Sequence, residues 1–159
     1  MGQRILIFRL LVFLFCVYNF SALTKEVIVG QAKVIDGDTI HIGKDKIRLY
    51  GIDAPEIEQI CSKNNEKWKC GKSARLKLIE KINQNKVSCE VLDVDKYKRK
   101  IAECFINKVS INAYMVLEGW ALAYRYYSIK YVREETLAKK NLKGIWNSEF
   151  KVPWEYRKK

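Results

Sequence analysis

The chain has 159 residues, 48% of them hydrophobic and 30% charged, with 30 Lys and Arg against 18 Asp and Glu and a formal net charge of +12. That length and composition describe one domain with a proper core and exclude a disordered chain. The basic excess suits a polyanionic partner, either nucleic acid or an anionic membrane surface, without choosing between them.

The N-terminus reads as an address. Residues 1–22 carry Arg4 in a short basic head, an apolar run, and small residues at Ser21 and Ala22, the pattern of a secretory signal peptide. The second reading is an uncleaved membrane anchor, because Ile5 to Leu23 approaches the ~20 residues of a spanning helix. Arg9 would be costly in such a helix, so cleavage is favoured. Loss of Arg4 and Arg9 takes the net charge from +12 to +10. The expected location is secreted or periplasmic, with membrane attachment as second choice, and the folded domain is 23–159.

Periodicity then predicts five strands and three helices. "EVIVGQAKVI", "DTIHI" and "KIRLYGI" are three strands, followed by a helix over "CGKSARLKLIEKIN" with Ala74, Leu78 and Ile82 inward. "KVSCEVLD" and "RKIAECFI" are two more strands. Helices over "VSINAYMVLEGW" and "YVREETLAKKNLKGIW" end the domain, the latter stopping near Gly144. Three strands, a helix and two strands are the order of a five-stranded OB-fold-like β-barrel, here an α+β domain with three α-helices.

Without Cys16, four cysteines remain: Cys61, Cys70, Cys89 and Cys104. An even number behind a signal peptide points to disulfides. Cys89 and Cys104 lie in the inward sets Val87-Cys89-Val91 and Ala102-Cys104-Ile106. A hairpin centred between Lys96 and Tyr97 sets them opposite each other, within bonding reach. Cys61 and Cys70 then close a small loop. Four buried thiols are the rival reading. Zinc is disfavoured, since there is no Cys-x-x-Cys pair and His41, the single His, alternates outward in its strand.

The chemistry concentrates in "DGDT" and "GIDAPE". Asp36-Gly37 is an ordinary turn pair. An antiparallel hairpin returns to its starting end, so Asp38 and Asp53 are expected as neighbours, with Glu56 nearby and Arg48 projecting from the strand between. Close carboxylates repel unless a proton or a cation lies between them, and a hard cation such as Ca²⁺ suits oxygen ligands.

"VIDGDTIHI", "IRLYGIDAPE", "CGKSAR", "DKYKRKIAEC", "LEGWALAYRYY", "GIW" and "PWEYR" together resemble the thermonuclease (staphylococcal nuclease-like) family from about Lys25 to Arg157. The resemblance implies a Ca²⁺-dependent endonuclease of low sequence specificity, acting on DNA and RNA as a monomer with no obligate protein partner. It implies one Ca²⁺ held by Asp38, Asp53 and the backbone carbonyl of Ala54. Arg48 and Arg99 are expected on the phosphate and Glu56 as general base. Lys96, Tyr97, Tyr124 and Tyr126 are expected to line the nucleotide pocket. Lys98 stands where the family often has Gly, which puts the shape of the Arg99 loop at issue. "PWEYRKK" is expected to pack through Trp154 and leave a basic tail. The alternative is a non-catalytic OB-fold nucleic-acid-binding protein.

Overall fold

The computed structural model describes residues 25–158. The readings made for residues 1–22 lie outside the described residues. Among the described residues, no helix is long and apolar enough to cross a membrane.

The strands are β1 (Val27–Val34), β2 (Thr39–Ile42), β3 (Asp45–Leu49), β4 (Ile52–Asp53), β5 (Cys61–Lys63), β6 (Glu66–Trp68), β7 (Lys86–Val94), β8 (Lys100–Ile106), β9 (Val109–Ser110) and β10 (Leu122–Ala123). The helices are α1 (Cys70–Ile82), α2 (Ile111–Leu117), α3 (Val132–Lys140) and the single turn α4 (Pro153–Tyr156), with a 3₁₀ turn over Gly144–Asn147. β1, β2 and β3 form an antiparallel meander, and β7 pairs with both β1 and β8. β8 then pairs in parallel with β3, which closes a five-strand barrel. The expected α+β, OB-like architecture is the one the chain adopts.

Alternation decides what fills the barrel. Ile40, Ile47, Leu49, Val87, Cys89, Ala102 and Cys104 are buried inside it. Ala74, Leu78 and Ile82 of α1 are buried too, as their helical spacing predicts. Asn112 on α2 seals the β3–β8 seam: its Nδ2 donates to the carbonyls of Tyr50 (3.0 Å) and Ala102 (3.2 Å), and its Oδ1 accepts from the Cys104 N–H (3.0 Å). A second, smaller core joins Cys61, Cys70, Leu122 and Ile145 to Trp68, Trp146, Phe150 and Trp154.

Several expected boundaries are corrected. The third strand ends at Leu49 and does not run to Ile52: Gly51 takes φ +70° and redirects the chain into β4, which pairs with β10. The last long helix stops at Lys140, because Gly144 packs backbone to backbone against Gly119 and turns Ile145 into the second core. The β5–β6 hairpin is too short to show a period.

Both disulfides are formed, Cys61–Cys70 and Cys89–Cys104. The route to the second differs from the expected one. The turn spans Asp95 to Arg99 and centres on Tyr97, half a residue later than expected, and alone this would put Cys89 out of register. A bulge between Val91 and Asp93 compensates, so Cys89 pairs directly with Cys104.

Candidate functional site

One end of the β2–β3 hairpin builds the acidic half of the site. Asp36 Oδ1 accepts from the Asp38 N–H (2.9 Å), a local turn that orients the next carboxylate. A Cβ on Gly37 would lie 2.6 Å from the Ala54 Cβ, so only glycine lets this turn press against the chain after β4. The contact lets the Ala54 N–H donate to Asp38 Oδ2 (2.7 Å). Asp38 and Asp53 are thereby brought together, as hairpin geometry predicts.

Arg48 is the wedge between them. Its Nη1 pairs with Asp38, and its Nη2 donates to Asp53 Oδ1 (2.7 Å) and to the Ile52 carbonyl (3.1 Å). Burial pushes the guanidinium below its ordinary value, with Asp53 and Asp36 opposing the shift. Burial likewise holds the Asp36 carboxyl above the usual range, against the pull of Arg48.

Glu56 is placed by the loop that follows. Its N–H donates to Gln59 Oε1 (3.2 Å), and the Gln59 N–H donates back to the Glu56 carbonyl (2.7 Å). The fully buried Gln59 also donates to the Lys151 carbonyl (2.6 Å), tying this loop to the C-terminal segment. A Cβ on Gly71 would meet the Glu56 carbonyl oxygen at 1.7 Å, so the start of α1 abuts the loop only through glycine. The Cys61–Cys70 bond staples the same region.

Closure of β8 on β3 delivers the β7–β8 turn beside Arg48. Asp95 organises that turn: its Oδ1 accepts from the N–H groups of Tyr97 and Arg99 (both 2.9 Å), and its Oδ2 accepts from Arg99 Nε (2.7 Å). Lys98 takes φ +63°, the left-handed conformation that glycine adopts freely. A side chain there costs roughly 1–2 kcal/mol, less the smaller entropic penalty of glycine. Lys98→Gly is therefore expected to stabilise the fold by about 0.5–1 kcal/mol, read as a higher denaturant midpoint at unchanged slope. A lower midpoint would mean the turn is not strained.

The far wall is aromatic. A buried Glu135 on α3 accepts from the Ala123 N–H (3.2 Å) and from Arg125 (2.7 Å), which fixes the segment carrying Tyr124. Tyr124 stacks on Trp154, with ring centroids 5.4 Å apart and planes 14° apart. A cleft of ≈ 530 Å³ opens between Asp38, Arg48, Glu56, Arg99, Tyr97 and Tyr124. Tyr127, not singled out from sequence, also lines it. Lys96 and Tyr126 do not: Lys96 lies over the Tyr97 ring (5.1 Å), and Tyr126 projects to a neighbouring groove.

Sequence reasoning missed Arg157. Far from trailing into solvent, its Nη1 donates to Asp53 Oδ1 (3.0 Å) and Glu56 Oε1 (2.7 Å), and its Nη2 to Asp53 Oδ2 (2.9 Å). Trp154 packing was the available signal, since a docked α4 aims the residue after it at the cleft. Asp53 is consequently fully buried, both oxygens covered by guanidinium. Among the described residues, no three acidic, His or Cys side chains are grouped to hold a metal ion. The donor chemistry nonetheless fits a hard divalent cation. Asp38 and Glu56 line the cleft with Asp53 buried beside them, and carboxylate oxygens are the hard donors such an ion prefers.

Residues 46–148 match the family described as staphylococcal nuclease homologue. The chain is 33% identical over 129 residues to the succinoglycan biosynthesis protein ExoI of Rhizobium meliloti, covering 78% of this chain and 67% of that protein. It is 29% identical over 144 residues to a micrococcal nuclease of Shigella flexneri, covering 79% and 78%. It is 29% identical over 124 residues to the probable staphylococcal-like nuclease CAN2 of rice, covering 76% of this chain and 31% of that larger protein. The chain belongs to the staphylococcal nuclease homologue family.

Proposed function

We propose that this member of the staphylococcal nuclease family is an exported, Ca²⁺-dependent endonuclease that hydrolyses phosphodiester bonds of DNA and RNA. The observation that carries the reading is the convergence of Arg48, Arg99 and Glu56 on one cleft beside Asp38. Asp38, Asp53 and the Ala54 carbonyl would hold the ion, which when bound neutralises a phosphate oxygen. The chain's own groups do the rest. Arg48 and Arg99 present forked donors to the phosphate and stabilise the extra charge of the five-coordinate transition state. Glu56 accepts or orders the proton of the attacking water. Tyr97, 67% exposed, and Tyr124 offer rings on which any base can stack, in keeping with low sequence specificity. Two disulfides support an oxidising compartment, whether secreted or periplasmic, with a membrane-anchored form as second choice.

Denatured DNA and RNA are expected to be cut by the purified protein with Ca²⁺ and left whole with chelator. Substrate that is retained but uncut under both conditions would sink the enzymatic reading and leave the OB-fold binding module.

A further inference from the structure

We propose that Arg157 is an exchangeable internal cation: its guanidinium holds the Asp53 oxygens that a divalent ion needs, together with the Glu56 carboxylate that faces the attacking water, and the ion displaces it. The inference rests on the Ca²⁺ site proposed above. Asp53 lies at 0% exposure, so nothing from solvent reaches its oxygens until one covering group leaves.

The two covering groups are not equivalent. Arg48 is 15% exposed in its side chain and is pinned by Asp38, Asp53 and the Ile52 carbonyl, within a strand paired on both sides. Arg157 is 40% exposed, and among the described cationic side chains it alone meets Asp53 Oδ2 and Glu56 Oε1. It stands at the end of a single helical turn, α4, tethered upstream by the Trp154–Tyr124 stack and the Lys151–Gln59 hydrogen bond. Arg157 is the group that can leave without opening the barrel. A neighbouring groove lined by Tyr126, Trp154 and Lys158 is within its reach, because Arg157 lines that groove as well as the cleft.

A covering group that must move aside lowers apparent affinity by the fraction of uncovered protein. Arg157→Gln, in protein with both disulfides formed, is therefore expected to bind Ca²⁺ about tenfold more tightly than wild type by calorimetry. Arg157→Lys, which keeps a point charge without the fork, falls between them. In a second measurement, the ¹⁹F resonance of fluorotryptophan at Trp154, assigned with Trp154→Phe, shifts in wild type as Ca²⁺ is added. Equal or weaker binding by Arg157→Gln, no binding by either protein, or a Trp154 resonance unmoved at saturation each overturns the exchange. These readouts are separate from cleavage. Exchange without cleavage would remove the nuclease reading alone, and cleavage with unchanged Ca²⁺ affinity in Arg157→Gln would remove only the exchange.

Discussion

Replacing Glu56 by Gln is expected to lower kcat for nucleic-acid cleavage by about 10²–10⁴-fold, the range lost with a positioned general base, while the fold and substrate affinity stay close to wild type. Gln is nearly isosteric and keeps an Oε1 to accept from Arg157, so the Arg157 contact at 2.7 Å persists. The Glu56 backbone, held by Gln59 and by the close approach of Gly71, is untouched by the change. What disappears is the capacity to take up a proton. The check is steady-state cleavage of denatured DNA with Ca²⁺, paired with binding of the same DNA in chelator. A variant with wild-type kcat would show that water is activated elsewhere and would remove Glu56 from the chemistry. Loss of DNA binding in step with kcat would point to a misfolded cleft.

Arg48→Met is the second large effect, and it acts on both stability and turnover. Removing one partner of a buried charge pair costs about 3–5 kcal/mol, because the other charge is left without compensation. Here the charge left without a cation is Asp38, which retains the Ala54 N–H and the Thr39 hydroxyl, while Asp53 retains Arg157 on both oxygens. Loss of a phosphate-facing donor adds about 10²–10³ in kcat. Chemical denaturation measures the first and cleavage at saturating substrate the second. Arg48→Lys should recover part of the stability, since a charge is restored, but little of the rate, since one ammonium cannot fork between Asp53 and a phosphate. An Arg48→Met protein with the wild-type denaturation midpoint would show that Asp38 does not depend on Arg48.

Much of the candidate site's placement is legible in the sequence. Asp38 and Asp53 flank a hairpin, and hairpins return to their origin, so their proximity followed from strand period alone. Arg48, on the returning strand between them, pairs with Thr39 and so shares the same end of the barrel. The Cys89–Cys104 pair was legible from alternation, although the route to it was not. Turn centre and bulge each shift register by a step, and the two shifts cancel. Lys98 flagged its own position, because a family pattern of glycine points to a backbone angle, and that angle is present at +63°.

The barrel, the disulfide pairs and the strand ends on which the acids and Arg48 stand were readable from the chain, because they depend on periods and turns within a few tens of residues. Long-range packing was needed to seal Asp53 from solvent, to tie the Glu56 loop through Gln59 to the C-terminal segment, and to close Arg157 over Asp53 and Glu56 from 104 and 101 residues away. No local pattern encodes a contact of that span. It arises where the packing of Trp154 on Tyr124 sets the last turn down, and charge then selects the guanidinium that meets two buried oxygens.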